Sequence, residues 1–168
     1  TQANYQVTSC LRSMMKVSDS LYYSVIKDTD LETNSVSDAF RLLYDTNKET
    51  IERIALFSEA GELLEVSPAA KRKENISLFS QNWYWKTILE EENITFGMPE
   101  VERLFEGSGG EYTRVIPMSR VVQLNRGDKT EKGILLIQLK QSSIVDILSN
   151  ILMNGNSYLY LTNENGEL

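Results

Sequence analysis

The spacing of apolar residues changes once along this chain, and that change limits the folds open to it. Between residues 3 and 27, small or apolar side chains recur at alternating steps of four and three: Val7, Leu11, Met14, Ser18, Leu21 and Val25. This spacing predicts an amphipathic helix of about seven turns. A second helical pattern runs from Val36 towards Thr50. From Ile51 onwards the period becomes two, which is typical of β-strands.

Strand patterns interrupted by glycine turns and short helices fill the rest of the chain. Residues 51–66 predict two strands joined by a glycine turn, and residues 82–92 predict a short helix. Residues 112–124 and 133–139 predict two more strands, the second of which is apolar on both faces and therefore central. A final helix is predicted along residues 144–152. The fold class is therefore α+β, with a central antiparallel sheet, a long N-terminal helix and flanking helices.

A repeated pattern suggests how the chain is divided. Residues 54–63 and 158–168 each alternate apolar residues, pass a hydroxyl residue and an acidic tip, and end in Gly-Glu-Leu. Two such hairpins also arise by chance, but we favour a repeat, because the second copy stands where another module would begin. We therefore predict an N-terminal helical segment, residues 1–50, a first α+β module, residues 51–153, and the start of a second module, residues 154–168. Both chain ends are interpreted as cut from a larger protein.

Charge and composition exclude several functions. The chain has 17 Lys and Arg against 24 Asp and Glu, a formal charge of −7, which argues against a nucleic-acid partner. It has no histidine, which excludes Ser-His-Asp catalysis and histidine-containing zinc sites. Its one cysteine, Cys10, cannot form an intrachain disulfide. No alternating carboxylate loop for calcium is present, so neither a metal nor a cofactor is predicted.

Several of these segments, in this order, resemble the Cache family, the PAS-like extracytoplasmic sensor domains of bacterial histidine kinases, chemoreceptors and cyclic-di-nucleotide enzymes. The long N-terminal helix comes first, followed by the strand pair with its acidic-glycine tip. The pair Trp83-Tyr84 resembles the start of the family's pocket helix. The stretch Val115-Ile-Pro-Met-Ser and the strand at residues 133–139 are similar to two family strand motifs. The similarity covers nearly the whole chain, from the first helix to the crossover into a second module.

The resemblance implies a function as well as a fold. It implies the extracellular, ligand-sensing domain of a membrane-bound two-component sensor histidine kinase, which binds a small molecule and is not itself an enzyme. It also implies a homodimer formed through the N-terminal helix and flanking helices that tether the domain to the membrane. Amino-acid-sensing members clamp the ligand with an Arg, a Tyr and an Asp. Here Gln81, the region of Glu100, and Gln138 stand at those places, so a neutral polar ligand is expected in preference to an α-amino acid.

Seven residues are the candidates for ligand contacts: Trp83, Tyr84, Gln81, Gln138, Arg114, Met118 and Glu100. Three adjacent aromatics cannot all face one core, so we expect Trp83 and Tyr84 to line a pocket; the alternative is that two pack inside and one lies on the surface. Gln138 lies in an apolar strand and needs partners, either a ligand or a neighbouring loop. Arg114 and Met118 share a strand face, which is either the pocket or, for Arg114, the solvent side.

Two other classes of function remain open from the sequence. A ligand-free structural or dimerisation module would fill the interior near Trp83 with side chains. A hydrolase that uses paired carboxylates would need two acids with raised pKa values in one cleft. Against the hydrolase, the acidic residues cluster in turns and at helix ends.

Overall fold

The computed structural model describes residues 2–107 and 113–146. Three α-helices lie in these ranges: α1 at Gln2–Leu21, α2 at Ser37–Asn47 and α3 at Asn82–Leu89. A π-helical turn, Tyr22–Ile26, extends α1, and a 3₁₀ turn, Leu78–Ser80, precedes α3. Residues 141–146 are also helical. The predicted long N-terminal helix is confirmed, and α3 ends three residues earlier than its pattern predicted.

Six antiparallel strands form one sheet. They are β1 at Ile51–Phe57, β2 at Leu63–Ser67, β3 at Thr95–Phe96, β4 at Glu100–Val101, β5 at Arg114–Arg126 and β6 at Lys129–Lys140. The spatial order is β2-β1-β6-β5-β3, with β4 also pairing with β5. Strand β6 therefore lies in the middle of the sheet, which its apolar sequence on both faces had predicted. The α+β fold class with an antiparallel sheet is confirmed.

The sheet separates two hydrophobic clusters, and these define its two faces. One face, here called the helix face, packs against α1 and α2 through a cluster that includes Met14, Leu21, Phe40, Ile54, Met118, Leu124, Ile137 and Leu139. The other, here called the α3 face, carries a cluster of Ala55, Phe57, Leu78, Trp83, Tyr84, Leu104, Phe105, Ile134 and Leu136. Side chains along β5 and β6 alternate between the two faces, as pleated geometry requires.

Arg120 attaches α1 to the sheet. Its guanidinium donates Nη1 to Asp19 Oδ1 at 2.6 Å and Nη2 to the Tyr23 hydroxyl at 3.3 Å. It also lies over the ring of Tyr22, 4.9 Å from the centroid. The contacts fall where α1 passes into its π-helical turn, and π segments in helices are often found at functional sites. Strand β5 and the C-terminal end of α1 are therefore joined by the buried side chain of Arg120.

Some sequence predictions lie outside the described residues. These are most of the last predicted helix, the strand at residues 158–161 and the repeated hairpin near Gly166. The proposed start of a second module, and with it the division of the chain into modules, therefore stays a prediction. Among the helices of residues 2–107 and 113–146, none has the length and hydropathy needed to cross a bilayer.

Candidate functional site

Helix α3 covers the second face of the sheet with two of its three consecutive aromatics. Trp83 and Tyr84 are buried in the cluster of the α3 face, whereas Trp85 is 57% exposed and donates its indole N–H to the Phe79 carbonyl at 2.9 Å. Two aromatics therefore pack and one lies at the surface, which is the second of the two arrangements that the sequence allows. Burial raises the pKa of the Tyr84 hydroxyl, and the charge of Glu59 raises it further.

Buried hydroxyl groups and close backbone packing hold α3 on the sheet. Thr87 Oγ1 lies 2.8 Å from the Trp83 carbonyl, 2.9 Å from Thr95 Oγ1 and 2.6 Å from Ser119 Oγ. A Cβ at Gly97 would lie 3.1 Å from the Cβ of Trp83, so the glycine allows the start of α3 to approach the strands. This network connects α3 to β3 and β5. Its member on β5, Ser119, comes directly before Arg120 in the chain, and the two side chains lie on opposite faces of the sheet.

Two polar side chains lie next to each other on the buried sheet surface of the α3 face. Arg53 of β1 and Gln138 of β6 are directly opposed in the antiparallel register. Arg53 is 5% exposed and Gln138 is 3% exposed. The Nε and Nη1 atoms of Arg53 and the Oε1 atom of Gln138 are buried and have no hydrogen-bond partner. Each unmade hydrogen bond at a buried polar atom costs about 1–3 kcal/mol. Among the described residues, single atoms of Arg72, Lys86, Arg120 and Glu131 are also buried without a hydrogen-bond partner, but only Arg53 and Gln138 bring such atoms together on neighbouring strands.

The carboxylate of Glu102 lies close to this pair. Glu102 Oε1 accepts the backbone N–H of Leu104 at 2.6 Å and the side-chain amide of Gln138 at 3.4 Å. Burial lowers the pKa of Arg53, and the charge of Glu102 acts against that shift. The guanidinium of Arg53 lies 4.8 Å from the centroid of the Phe105 ring. A stacked guanidinium, an amide and a carboxylate therefore share one apolar surface, an arrangement suited to orienting a small polar molecule.

Glu100, another candidate, lies at the margin of this group. It is opposite Val115 in the β4–β5 pairing, so it faces the same side of the sheet as Gln138. It is only partly buried. Burial raises the pKa of Glu100, the charge of Glu102 raises it further, and Arg103 lowers it in part.

Replacing Glu100 by Gln is expected to stabilise the fold at neutral pH. Because the raised pKa means that the folded state binds the proton more tightly than the unfolded chain, ionising Glu100 weakens folding. This loss of stability is absent when the pH is below the pKa that Glu100 has in the unfolded chain, near 4. It is complete when the pH is above the raised pKa of Glu100 in the folded state. The thermal midpoint of Glu100→Gln should therefore exceed that of the wild type at pH 7, and the two should converge towards pH 4. The exposed Glu106→Gln is the control; an equal gain there would contradict the assignment to Glu100.

Three of the candidate residues lie away from Arg53 and Gln138. Met118 belongs to the cluster of the helix face, because it is an even-numbered residue of β5, like its neighbours Ile116 and Val122 in the same cluster. Arg114 is also an even-numbered residue of β5, so it lies on the same face of the sheet. Its side chain is exposed and donates Nε–H to Gln141 Oε1 at 2.9 Å. Arg114 and Met118 do share one face, as predicted, but it is not the face that α3 covers. Gln81 precedes α3 and donates its amide to the Ser77 carbonyl at 3.3 Å.

Sequence reasoning missed Arg53 and Glu102. Strict alternation from Ile51 would place Arg53 on the same face as Ile51, which belongs to the cluster of the helix face. A shift in the β1–β6 register between these two residues turns Arg53 to the α3 face instead. The available signal was the charged pair Glu52-Arg53 inside a strand whose other residues are apolar. Within residues 2–107 and 113–146 no group of three potential metal ligands converges.

Comparison with known proteins gives matches in structure but not in sequence. No protein-family model and no curated protein matches the chain. The ligand-binding domain of the Pseudomonas aeruginosa amino acid chemoreceptor PctC, in complex with GABA, superposes with a TM-score of 0.64 at 18% identity, over 92% of this chain and 64% of that chain. The fold is that of a Cache sensor domain.

Two more Cache domains match in the same way. The ligand-binding domain of the P. aeruginosa chemoreceptor PctB, in complex with L-Gln, gives a TM-score of 0.61 at 14% identity, over 87% of this chain and 54% of that chain. The corresponding domain of Pseudomonas fluorescens CtaA, in complex with L-serine, gives 0.57 at 13% identity, over 87% and 57%. This chain thus spans between 54% and 64% of the length of these three domains. The resemblance stated from the sequence is confirmed at the level of the fold.

Proposed function

We propose that this chain is the ligand-sensing part of a membrane receptor and that it binds a small organic molecule on the α3 face of its sheet. The observation that supports this most strongly is the pair Arg53 and Gln138, in which Arg53 Nε and Nη1 and Gln138 Oε1 are buried without a hydrogen-bond partner. The Cache fold supports it further, since the matching structures are ligand-binding domains of chemoreceptors. The role is binding and not catalysis.

The physical basis of sensing is linkage. A ligand that provides the missing hydrogen bonds binds the folded arrangement in which Arg53 and Gln138 are side by side, and stabilises that arrangement over others. A route for the response starts at α3, whose Thr87 touches Ser119 of β5. It continues through the adjacent Arg120 to Asp19 of α1. Ligand-dependent movement of α3 would in this way change the position of α1.

We extend this proposal from the chain to the whole receptor. We propose that α1 continues towards the membrane, that the domain lies on the extracytoplasmic side, and that the output is a cytoplasmic histidine kinase. The side of α1 turned away from the sheet is largely exposed, with Tyr5 among its residues, and it is the surface that we propose for pairing with a second copy. A chemoreceptor output is the alternative for the same sensing domain.

The sensing proposal predicts a ligand whose binding depends on Gln138. A thermal-shift screen of the chain against sugars, organic acids, amino acids, purines and polyamines should give at least one compound that raises the midpoint. At 100 times its dissociation constant, a ligand adds about 2.7 kcal/mol, equivalent to roughly 5–10 °C for a domain of this size. Gln138→Ala should abolish that shift, and Gln123→Ala, the same change at an exposed position of β5, should leave it intact.

The outcomes separate sensing from a structural role. A compound whose effect disappears only in Gln138→Ala supports the proposal. A complete absence of shifts from a cooperatively folding chain contradicts it and favours a ligand-free structural module, which the packed surroundings of Trp83 and Tyr84 also allow. Equal loss in Gln123→Ala would place binding elsewhere.

A further inference from the structure

The unpaired atoms at the centre of the site also indicate what the ligand must carry. We infer that Arg53 binds a carboxylate of the ligand, and that the ligand is a small organic acid bearing an uncharged hydrogen-bond donor, a hydroxyl or an amide N–H, for Gln138. The inference rests on the proposed function, since it names the ligand class of the same site. The inference places the positively charged ligand contact on β1, at Arg53. At the place where amino-acid-sensing family members carry an arginine, just before α3, this chain has Gln81.

Arg53 requires an acceptor, and a carboxylate is the strongest one available. Its Nε and Nη1 atoms are buried and unpaired, and among the described residues no acid forms an ion pair with it. Guanidinium–carboxylate hydrogen bonds are about twice as strong as neutral ones. The stacking of Arg53 on Phe105 holds the guanidinium plane in place before a ligand arrives. The site therefore offers a preoriented cation with free donors.

Gln138 requires a donor, and the structure favours an uncharged one. Its Oε1 is buried and unpaired, while its Nε2 donates to Glu102. An amide oxygen accepts a hydrogen bond but carries no charge to neutralise an ammonium. Glu102, the nearby acid, directs Oε1 to the Leu104 N–H and to the Gln138 amide. A hydroxyl or amide N–H therefore satisfies Gln138 without burying a second cation beside Arg53.

The surroundings limit the rest of the molecule. The cluster of the α3 face beside Arg53 and Gln138 is apolar, with Leu104, Phe105 and Leu136 all nearly inaccessible to solvent. A ligand body that meets these side chains is small and apolar, since polar groups placed there would find no partners. Short hydroxy acids and N-acyl amino acids combine a carboxylate, a neutral donor and such a body.

The test uses matched probes on the intact chain. L-lactate, glycolate, 3-hydroxybutyrate, mandelate and N-acetylglycine represent the proposed class. Each is compared with the same skeleton lacking the donor, with its primary amide, and with the ammonium analogue; for L-lactate these are propionate, lactamide and L-alanine. The five hydroxy and N-acyl acids should bind more tightly than their three sets of analogues. Thermal shift gives the first comparison of affinities, and calorimetry then gives the dissociation constants.

Variants of Arg53 identify the residue responsible. Arg53→Met should lower the affinity of the chain for the carboxylate probes by roughly 10- to 100-fold. Arg53→Lys, which keeps the charge but not the planar fork, should give intermediate affinity and keeps the test decisive if the Met variant does not fold. Arg41→Met, which removes an exposed arginine of α2, should change nothing.

The results distinguish this inference from the proposed function. Carboxylate binding lost in Arg53→Met and kept in Arg41→Met supports the inference. Hits from the wider screen that are neutral or cationic, or carboxylates that bind Arg53→Met unchanged, overturn it while the sensing function stands. No hit of any class from the folded wild-type chain overturns both.

Discussion

Gly133→Ala is expected to lower the free energy of unfolding by about 3 kcal/mol, the upper part of the range for overpacked interiors. Gly133 lies in β6, the central strand, opposite Val122 of β5. A Cβ there would lie 2.5 Å from the backbone oxygen of Phe57 and 2.5 Å from Leu124 Cδ1. The side chain of Leu124 can change rotamer only at a cost in core packing, because it is fully buried, and the carbonyl of Phe57 belongs to the β1 ladder and cannot move without breaking it. Urea denaturation measures the loss.

Gly107→Ala is the comparison for this prediction. Gly107 has a positive φ of 64° but no atom within 4 Å of an added Cβ, so only backbone strain opposes the change. That strain costs about 1–2 kcal/mol. The two substitutions add the same methyl group, and the difference between them measures the steric clash at Gly133. A loss in Gly133→Ala no larger than that in Gly107→Ala would contradict the close packing of β1, β5 and β6.

Asp19→Asn is expected to destabilise the protein by about 2 kcal/mol, because it leaves the charge of Arg120 unpaired. Breaking a fully buried ion pair costs about 3–5 kcal/mol. The estimate here is smaller, because Asp19 is 52% exposed and Arg120 keeps its contacts with Tyr22 and Tyr23. Chemical denaturation at moderate ionic strength provides the value.

Asp38→Asn is the control for the same chemical change. Asp38 forms an ion pair with Arg41 at 3.2 Å, but its side chain is 98% exposed, so its loss should change stability by less than about 0.5 kcal/mol. Equal effects at the two positions would mean that Arg120 does not depend on Asp19. The comparison bears on function, since the Arg120–Asp19 contact is the step at which the proposed response passes from the sheet to α1.

Much of the fold could be predicted from the sequence, because its regular elements repeat a simple pattern over many residues. The α1 seam runs for about seven turns, and Val7, Met14, Ser18 and Leu21 on it are buried as the spacing required. The central position of β6 could be predicted because apolar residues occupy both faces of the strand, with four in succession at residues 134–137. The π-helical turn at Tyr22–Ile26 could not be predicted in this way, since the apolar spacing continues through it without a break, and Arg120, which contacts this turn, lies about a hundred residues away in the chain.

The candidate site was harder to predict, for reasons that can be stated residue by residue. Gln138 was found because one polar residue in an apolar strand is conspicuous, and its burial agrees with that pattern. Met118 was assigned to the pocket because periodicity shows which residues share a face but not which face α3 covers. Arg53 was missed because a register shift reverses its expected side of the sheet, and no local pattern marks such a shift.

The most direct test of the sensing site is a crystal structure of the chain with the compound that stabilises it most. We expect the compound to lie on the α3 face of the sheet, with one group within hydrogen-bond distance of Arg53 and another within hydrogen-bond distance of Gln138 Oε1. Those two contacts would pair atoms that are otherwise buried and unpaired. A compound bound elsewhere, for instance in the open cleft beside Tyr22, Glu91 and Lys132, with Arg53 and Gln138 untouched, would contradict this expectation.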